Sequence, residues 1–131
     1  MKLVFAHLAD MALVSREGKL SIIGIFTTAY TANLPYTHPR MSVVLGLALE
    51  EVDLGQTVEL TVELLDPDAQ QLQSTRGVFD FSPDADLRGG FHCNFEFDLV
   101  ELSQGGLHEF SIKINGSQAS TLPLSVETRP R

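Results

Sequence analysis

From Thr57 to Leu64 the chain alternates strictly: Val58, Leu60, Val62 and Leu64 interleave with Glu59, Thr61 and Glu63. Successive side chains on an extended backbone point to opposite sides, so these four apolar residues share one face. On a helix they would scatter around the axis. The segment therefore predicts a strand with one buried face. The pattern recurs at Phe91, Cys93, Phe95, Phe97 and Leu99, with His92, Asn94, Glu96 and Asp98 opposite. It returns at Phe110, Ile112 and Ile114. No stretch offers an amphipathic helix of three turns, and His7–Ala12 spans one turn at most.

Turn chemistry separates these runs. Asp66-Pro67-Asp68-Ala69 places proline where a turn wants its fixed φ, and predicts a return strand from about Leu72 to Phe81. Gly105-Gly106 marks another turn. Asn115-Gly116 is the strongest short-range hairpin signal, because a two-residue type I′ turn needs positive φ at both positions. The closing strand then runs through Leu122 and Leu124 to Val126.

The first third differs. Leu3 to Val14 is apolar on both faces, Ser15-Arg16-Glu17-Gly18 reads as a hairpin loop, and Leu20 to Tyr30 follows as one strand. Strands apolar on both faces belong at the centre of a sheet whose outer face is covered. Asn33 to Arg40 holds Pro35 and Pro39 and predicts an extended crossover, with Met41 to Leu49 the next strand. Strands separated by turns, with no repeat, linker or low-complexity tract, predict one all-β domain over residues 1–131. The expected fold is an antiparallel β-sandwich of about seven to nine strands.

Charge narrows the partners. The chain carries 17 acidic and nine basic residues, net −8, with the basic ones scattered. Binding to nucleic acid draws on Lys and Arg neutralising phosphates, so neither nucleic acid nor an anionic membrane is expected. A single cysteine, Cys93, precludes an internal disulfide and points to a reducing compartment. His7 and Asp10 interrupt the apolar start, no cleavage site follows it, and no run approaches the ~18 apolar residues of a membrane-spanning helix. The expected location is cytoplasmic.

Several blocks resemble a family of short bacterial proteins of unknown function. They are Phe5-Ala6-His7-Leu8-Ala9-Asp10, then Gly18-Lys19-Leu20-Ser21-Ile22-Ile23-Gly24-Ile25-Phe26, Leu34-Pro35, His38-Pro39 and Gly55-Gln56-Thr57. Leu65-Asp66-Pro67-Asp68, Ile114-Asn115-Gly116 and Leu122-Pro123-Leu124-Ser125-Val126 continue the match. The N-terminal blocks carry most of the specificity; the closing hairpin is common to many immunoglobulin-like sandwiches. Ala69 stands where the resemblance leads us to expect a turn glycine, and Ser82 to Gly90 has no counterpart. The resemblance implies an immunoglobulin-like β-sandwich of bacterial origin and brings no activity with it.

Catalytic patterns are sparse. The chain has neither the Gly-x-Ser-x-Gly of a nucleophile elbow nor a phosphate-binding glycine loop. Cys93 lies on the phenylalanine face as a core residue, and His92, its neighbour on a strand, points away from it. His7 and Asp10 resemble part of an acid–base pair, but their spacing suits a helix; on a strand they face apart. His7 shares parity with Leu3 and Phe5 and reads as a core histidine. His38 and His108 join it only if the fold brings them together. Asp66 and Asp68 in one turn, and Asp84 and Asp86 in another region, offer oxygens of the kind calcium takes, if the loops gather at one end of a sandwich. Aspartate is also common in turns for its bonds to its own backbone. Of the two tyrosines only Tyr36 is expected to be exposed, so a sugar platform is poorly supplied.

Three functions compete. The favoured one is a non-catalytic protein-interaction or scaffold module that associates with a protein partner or with itself. Its contact candidates are His7, Asp10, Ile23, Ile25, Tyr36 and His38. Ile23 and Ile25 lead, because a simple packing leaves them exposed unless something covers them. The second is a calcium-dependent ligand-binding module using Asp66, Asp68, Asp84 and Asp86. The third is an enzyme built around His7 and Asp10. No cofactor is expected.

Overall fold

The computed structural model describes residues 1–130. Nine strands make up two sheets: β1 (Lys2–Val14), β2 (Leu20–Ile25), β3 (Thr28–Thr31), β4 (Tyr36–Ala48), β5 (Thr57–Leu65), β6 (Gln71–Asp80), β7 (Phe91–Leu102), β8 (Gly106–Ile114) and β9 (Ser117–Thr128). One sheet has the order β2-β1-β4-β7 and the other β3-β9-β8-β5-β6. Among the described residues a single 3-10 turn, Glu51–Asp53, lies between β4 and β5 and has no counterpart in the sequence patterning.

The alternating segments form the inside of the sandwich. Val58, Leu60, Val62 and Leu64 of β5 are buried beside Phe110 and Ile112 of β8 and Leu124 and Val126 of β9. Met41, Val43, Leu45 and Leu47 of β4 and Phe95 and Phe97 of β7 meet them from the other sheet. Phe97 packs edge-on against Phe110 with centroids 5.2 Å apart, a contact that locks the layers together. The Asn115-Gly116 turn has positive φ at both positions, +49° and +83°. The Asn115 side chain also accepts the Glu59 N–H at 2.8 Å, tying the hairpin to β5.

Four sequence expectations need correction. Leu20 to Tyr30 is not one strand: the Phe26 N–H donates to the Leu8 carbonyl at 3.0 Å, and one residue later the Thr27 carbonyl accepts from Ser125 of the opposite sheet at 2.8 Å. The chain thus changes sheets between Phe26 and Thr27, with Phe26 packed against the core. In consequence β3 runs parallel to β9, the exception in an otherwise antiparallel fold. Second, β2 is not central but an edge strand. Third, the Asn33 to Arg40 crossover ends early, because β4 already begins at Tyr36 and carries Pro39 within it.

The fourth concerns Leu99. The β4–β7 ladder continues in register on both sides of Pro39 and Leu99 but omits that pair. Pro39 has no N–H to give, and Leu99 takes a φ of +49°. Inward parity therefore passes from odd to even residues: Phe97 is buried, Leu99 is 70% exposed, and Val100 and Leu102 are buried again.

Candidate functional site

The ladder between β1 and β4 ends at Ala9 opposite Ser42, while β1 continues to Val14 with β2 as its ladder partner. Beyond that point the β1–β2 hairpin leaves the sandwich as an arm. Its tip is closed by the Ser15 carbonyl accepting the Gly18 N–H at 3.0 Å and by Ser15 Oγ accepting the Lys19 N–H at 3.1 Å. Gly18 has a φ of +81°, the conformation this loop requires.

The arm is apolar and uncovered. Leu13 is 53% exposed, Val14 57%, Ile23 48% and Ile25 57%. Ala9 pairs with Ile25 and Met11 with Ile23, and the ladder omits Asp10 and Gly24 between them, where Gly24 takes a φ of +72°. Strand β2 reads Leu-Ser-Ile-Ile-Gly-Ile, without a charge or a proline. Edge strands normally carry such residues to discourage pairing with other chains.

The other sheet edges are defended. The β7 edge is bridged from the opposite sheet: Gln73 Nε2 of β6 donates to the Asp98 carbonyl at 3.1 Å, and Thr75 Oγ1 donates to the Glu96 carbonyl at 3.4 Å. Strand β6 carries Arg76 and Asp80. Strand β3 is four residues long, with Tyr30 beneath the Arg129 guanidinium at 3.7 Å from the ring centroid.

The remaining candidates fall in separate places. His7 is not a core histidine. A register shift between Leu3 and Phe5 turns it to the outer face, half-buried and stacked on Phe5 with centroids 5.6 Å apart. Phe5 in turn covers Gly46 and meets His92. The histidine that does enter the interior is His108, fully buried, whose Nδ1 lies 3.2 Å from the Gly106 carbonyl. Its even number, in parity with Phe110 and Ile112, was the available signal.

Asp10 points the other way from His7, filling the space that a Cβ on Gly24 would take. It lies near His38, whose Nδ1 is 3.0 Å from the Tyr36 hydroxyl and whose ring stacks on Phe26. Burial holds the His38 imidazole below its ordinary value of 6.5, against the opposing pull of the Asp10 charge and the Arg40 backbone. His38 and Tyr36 thus form a small half-buried polar pair, with Asp10 exposed beside Gly24, and His7 is not part of it. Tyr36 is half-buried there, whereas Tyr30, expected inside, is exposed.

The acidic loops do not gather at one end. Asp66 and Asp68 sit in the β5–β6 turn and Asp84 and Asp86 in the β6–β7 loop, so the whole of β6 separates them, about 30 Å of extended chain. Asp66 Oδ1 accepts the N–H groups of Asp68 and Gln70, both at 2.9 Å, and Asp86 Oδ1 accepts that of Arg88 at 2.9 Å. Among the described residues no group of three or more His, Cys, Asp or Glu is placed to hold a metal ion. Burial pushes the Cys93 thiol up to about 12, so it is a poor nucleophile at neutral pH. A concavity of about 420 Å³ lies by the β5–β6 turn, lined by Leu65, Asp66, Pro67, Ala69, Leu107, His108, Glu109, Thr121 and Pro123; Asp66 Oδ1 is already taken by backbone N–H groups and His108 is fully buried. Among the described residues no helix is long and apolar enough to cross a membrane.

Two sheets of four and five strands packed face to face, with the chain crossing repeatedly between them, define an immunoglobulin-like β-sandwich. The chain belongs to DUF6941, a family of unknown function, which it matches over residues 4–127. No curated protein matches it. Among solved structures it is similar to an immunoglobulin-like protein from Pseudomonas aeruginosa, at 16% identity and a TM-score of 0.48, over 95% of this chain and 94% of that one. It is also similar to parts of two larger proteins. One is an alkylpurine DNA glycosylase from Pseudomonas fluorescens bound to abasic-site DNA (11% identity, TM-score 0.45, 76% of this chain and 27% of that one). The other is a β-glucosidase from Listeria innocua in complex with isofagomine (11% identity, TM-score 0.46, 80% and 15%).

Proposed function

We propose that this protein is a non-catalytic interaction module that meets a protein partner through the β1–β2 arm. The observation carrying this reading is the undefended edge of β2, six uncharged residues that include the exposed Ile23 and Ile25, beside the exposed Leu13 and Val14 of β1. An exposed edge of this kind accepts another strand through main-chain hydrogen bonds, and alternate side chains supply selectivity. The dispersal of the titratable groups supports the non-catalytic half. His7 and Asp10 face apart, and Cys93 is held as a neutral thiol. The single cysteine fits a reducing, cytoplasmic setting, and the blocks shared with short bacterial proteins fit a bacterial source.

The test places a photo-crosslinking amino acid at Ile25 and, as a control, at Val78, an exposed residue of β6. Irradiation in cells is expected to give a discrete adduct from position 25 and none from 78. Equal labelling at both, or none at 25, would sink the reading.

A further inference from the structure

Resting on the arm as the contact surface, we infer that its partner is a second copy of this chain. The two copies pair β2 to β2 in antiparallel fashion about a two-fold axis. Three observations lead there.

The first is which edge a second copy has to offer. β7 is bridged by Gln73 and Thr75, β6 presents Arg76 and Asp80, and β3 is four residues long. An undefended strand of matching length and character is β2 itself. A contact made by the same strand on both copies is isologous, so it closes at two and does not propagate into a fibre.

The second is pairing geometry. Directly opposed residues of an antiparallel ladder share a face, so a two-fold between identical strands passes through a residue and not between two. With the axis at Ile23, that residue opposes its own copy. Ile22 then falls opposite Gly24, whose φ of +72° interrupts the regular ladder, and Ile25 opposite Ser21 beyond it. Every one of these residues is uncharged, and no like charges are brought together.

The third is where the charge sits. Residues 1–49 hold four of the nine basic and two of the 17 acidic residues, a net +2, while residues 50–131 hold five and 15, a net −10. From Met11 to Leu49 the sole acidic residue is Glu17, at the tip of the arm. Two copies of a chain with net charge −8 repel each other over most of their surfaces. Strands β6 and β7, which with their connecting loop carry Asp80, Asp84, Asp86, Glu96, Asp98 and Glu101, form the sheet borders opposite β2 and β3, so meeting through the arms keeps this acidic border apart in the two copies.

Sedimentation velocity on the intact chain, from low micromolar to several hundred micromolar, is expected to show a monomer–dimer equilibrium. Ile23→Lys sets two ammonium groups face to face across the axis and is expected to leave only monomer, with far-UV circular dichroism unchanged and a thermal midpoint equal to that of the wild type at its low, monomeric concentrations. Ile23→Cys is expected to oxidise to a covalent dimer, while Val78→Cys and the wild-type chain, with its half-buried Cys93, do not. A monomer at every concentration, or a dimer that Ile23→Lys leaves intact, overturns the proposal. Monomeric sedimentation together with a crosslinked adduct at position 25 of some other mass overturns the second copy and leaves the arm as a contact surface. No adduct of any mass overturns both.

Discussion

Ala69 shows how one residue can be read from local chemistry. It closes the β5–β6 hairpin with a φ of +63°, and its N–H donates to the Asp66 carbonyl at 2.9 Å. An L-residue in the left-handed region carries a cost of about 1–2 kcal/mol. Glycine avoids that cost and loses part of the gain to its larger unfolded-state entropy. Ala69→Gly is therefore expected to stabilise the protein by about 0.5–1 kcal/mol, read as a rise in the urea midpoint at unchanged slope. The turn was legible in Asp66-Pro67-Asp68, whereas the glycine expected at 69 came from the family resemblance. The placement of His7 was not, because it depends on a register shift between β1 and β4 that no local pattern in β1 announces.

At the scale of elements, the contrast between two edges explains more than either alone. Gln73 and Thr75 lie on the core-facing side of β6, yet each spends its side chain on a carbonyl of β7. Such bonds seal the sandwich along that border and occupy acceptors that another strand would otherwise use. Gln73→Ala and Thr75→Val are each expected to cost about 1 kcal/mol, the net worth of an ordinary hydrogen bond. Urea denaturation measures the loss. The opposite border is closed covalently where the chain turns from β2 into β3, and there the arm is left free. Strand existence was legible throughout, since alternation and turn residues are local. Neighbourhood was not: Leu20 to Tyr30 has the composition of a continuous strand, and only the Ser125 contact to Thr27 divides it.

For the whole molecule, the half-buried His38 couples folding to pH. His38 binds a proton less readily in the folded protein than in the unfolded chain. Its contribution is therefore fully present above the ordinary value of 6.5 and is lost as pH falls below it, because the unfolded state then takes up more protons. The urea midpoint is expected to fall as pH drops below 6.5, and the fall is expected to be shallower in His38→Gln. Identical profiles for the two proteins would remove His38 from the account.

The sequence alone determined that this chain forms strands, which residues face inward along most of them, and where the hairpins turn. Those properties follow from side-chain alternation and from a few residues with special backbone freedom, both readable within a window of ten residues. Tertiary structure decided the rest: that β2 lies at an edge, that Asp66 and Asp84 stand at opposite ends of β6, and that the apolar arm goes uncovered. Each of these is a relation between segments far apart in the chain. Such relations are set by which surfaces win the competition for burial, and that competition is settled only when the sheets close on one another.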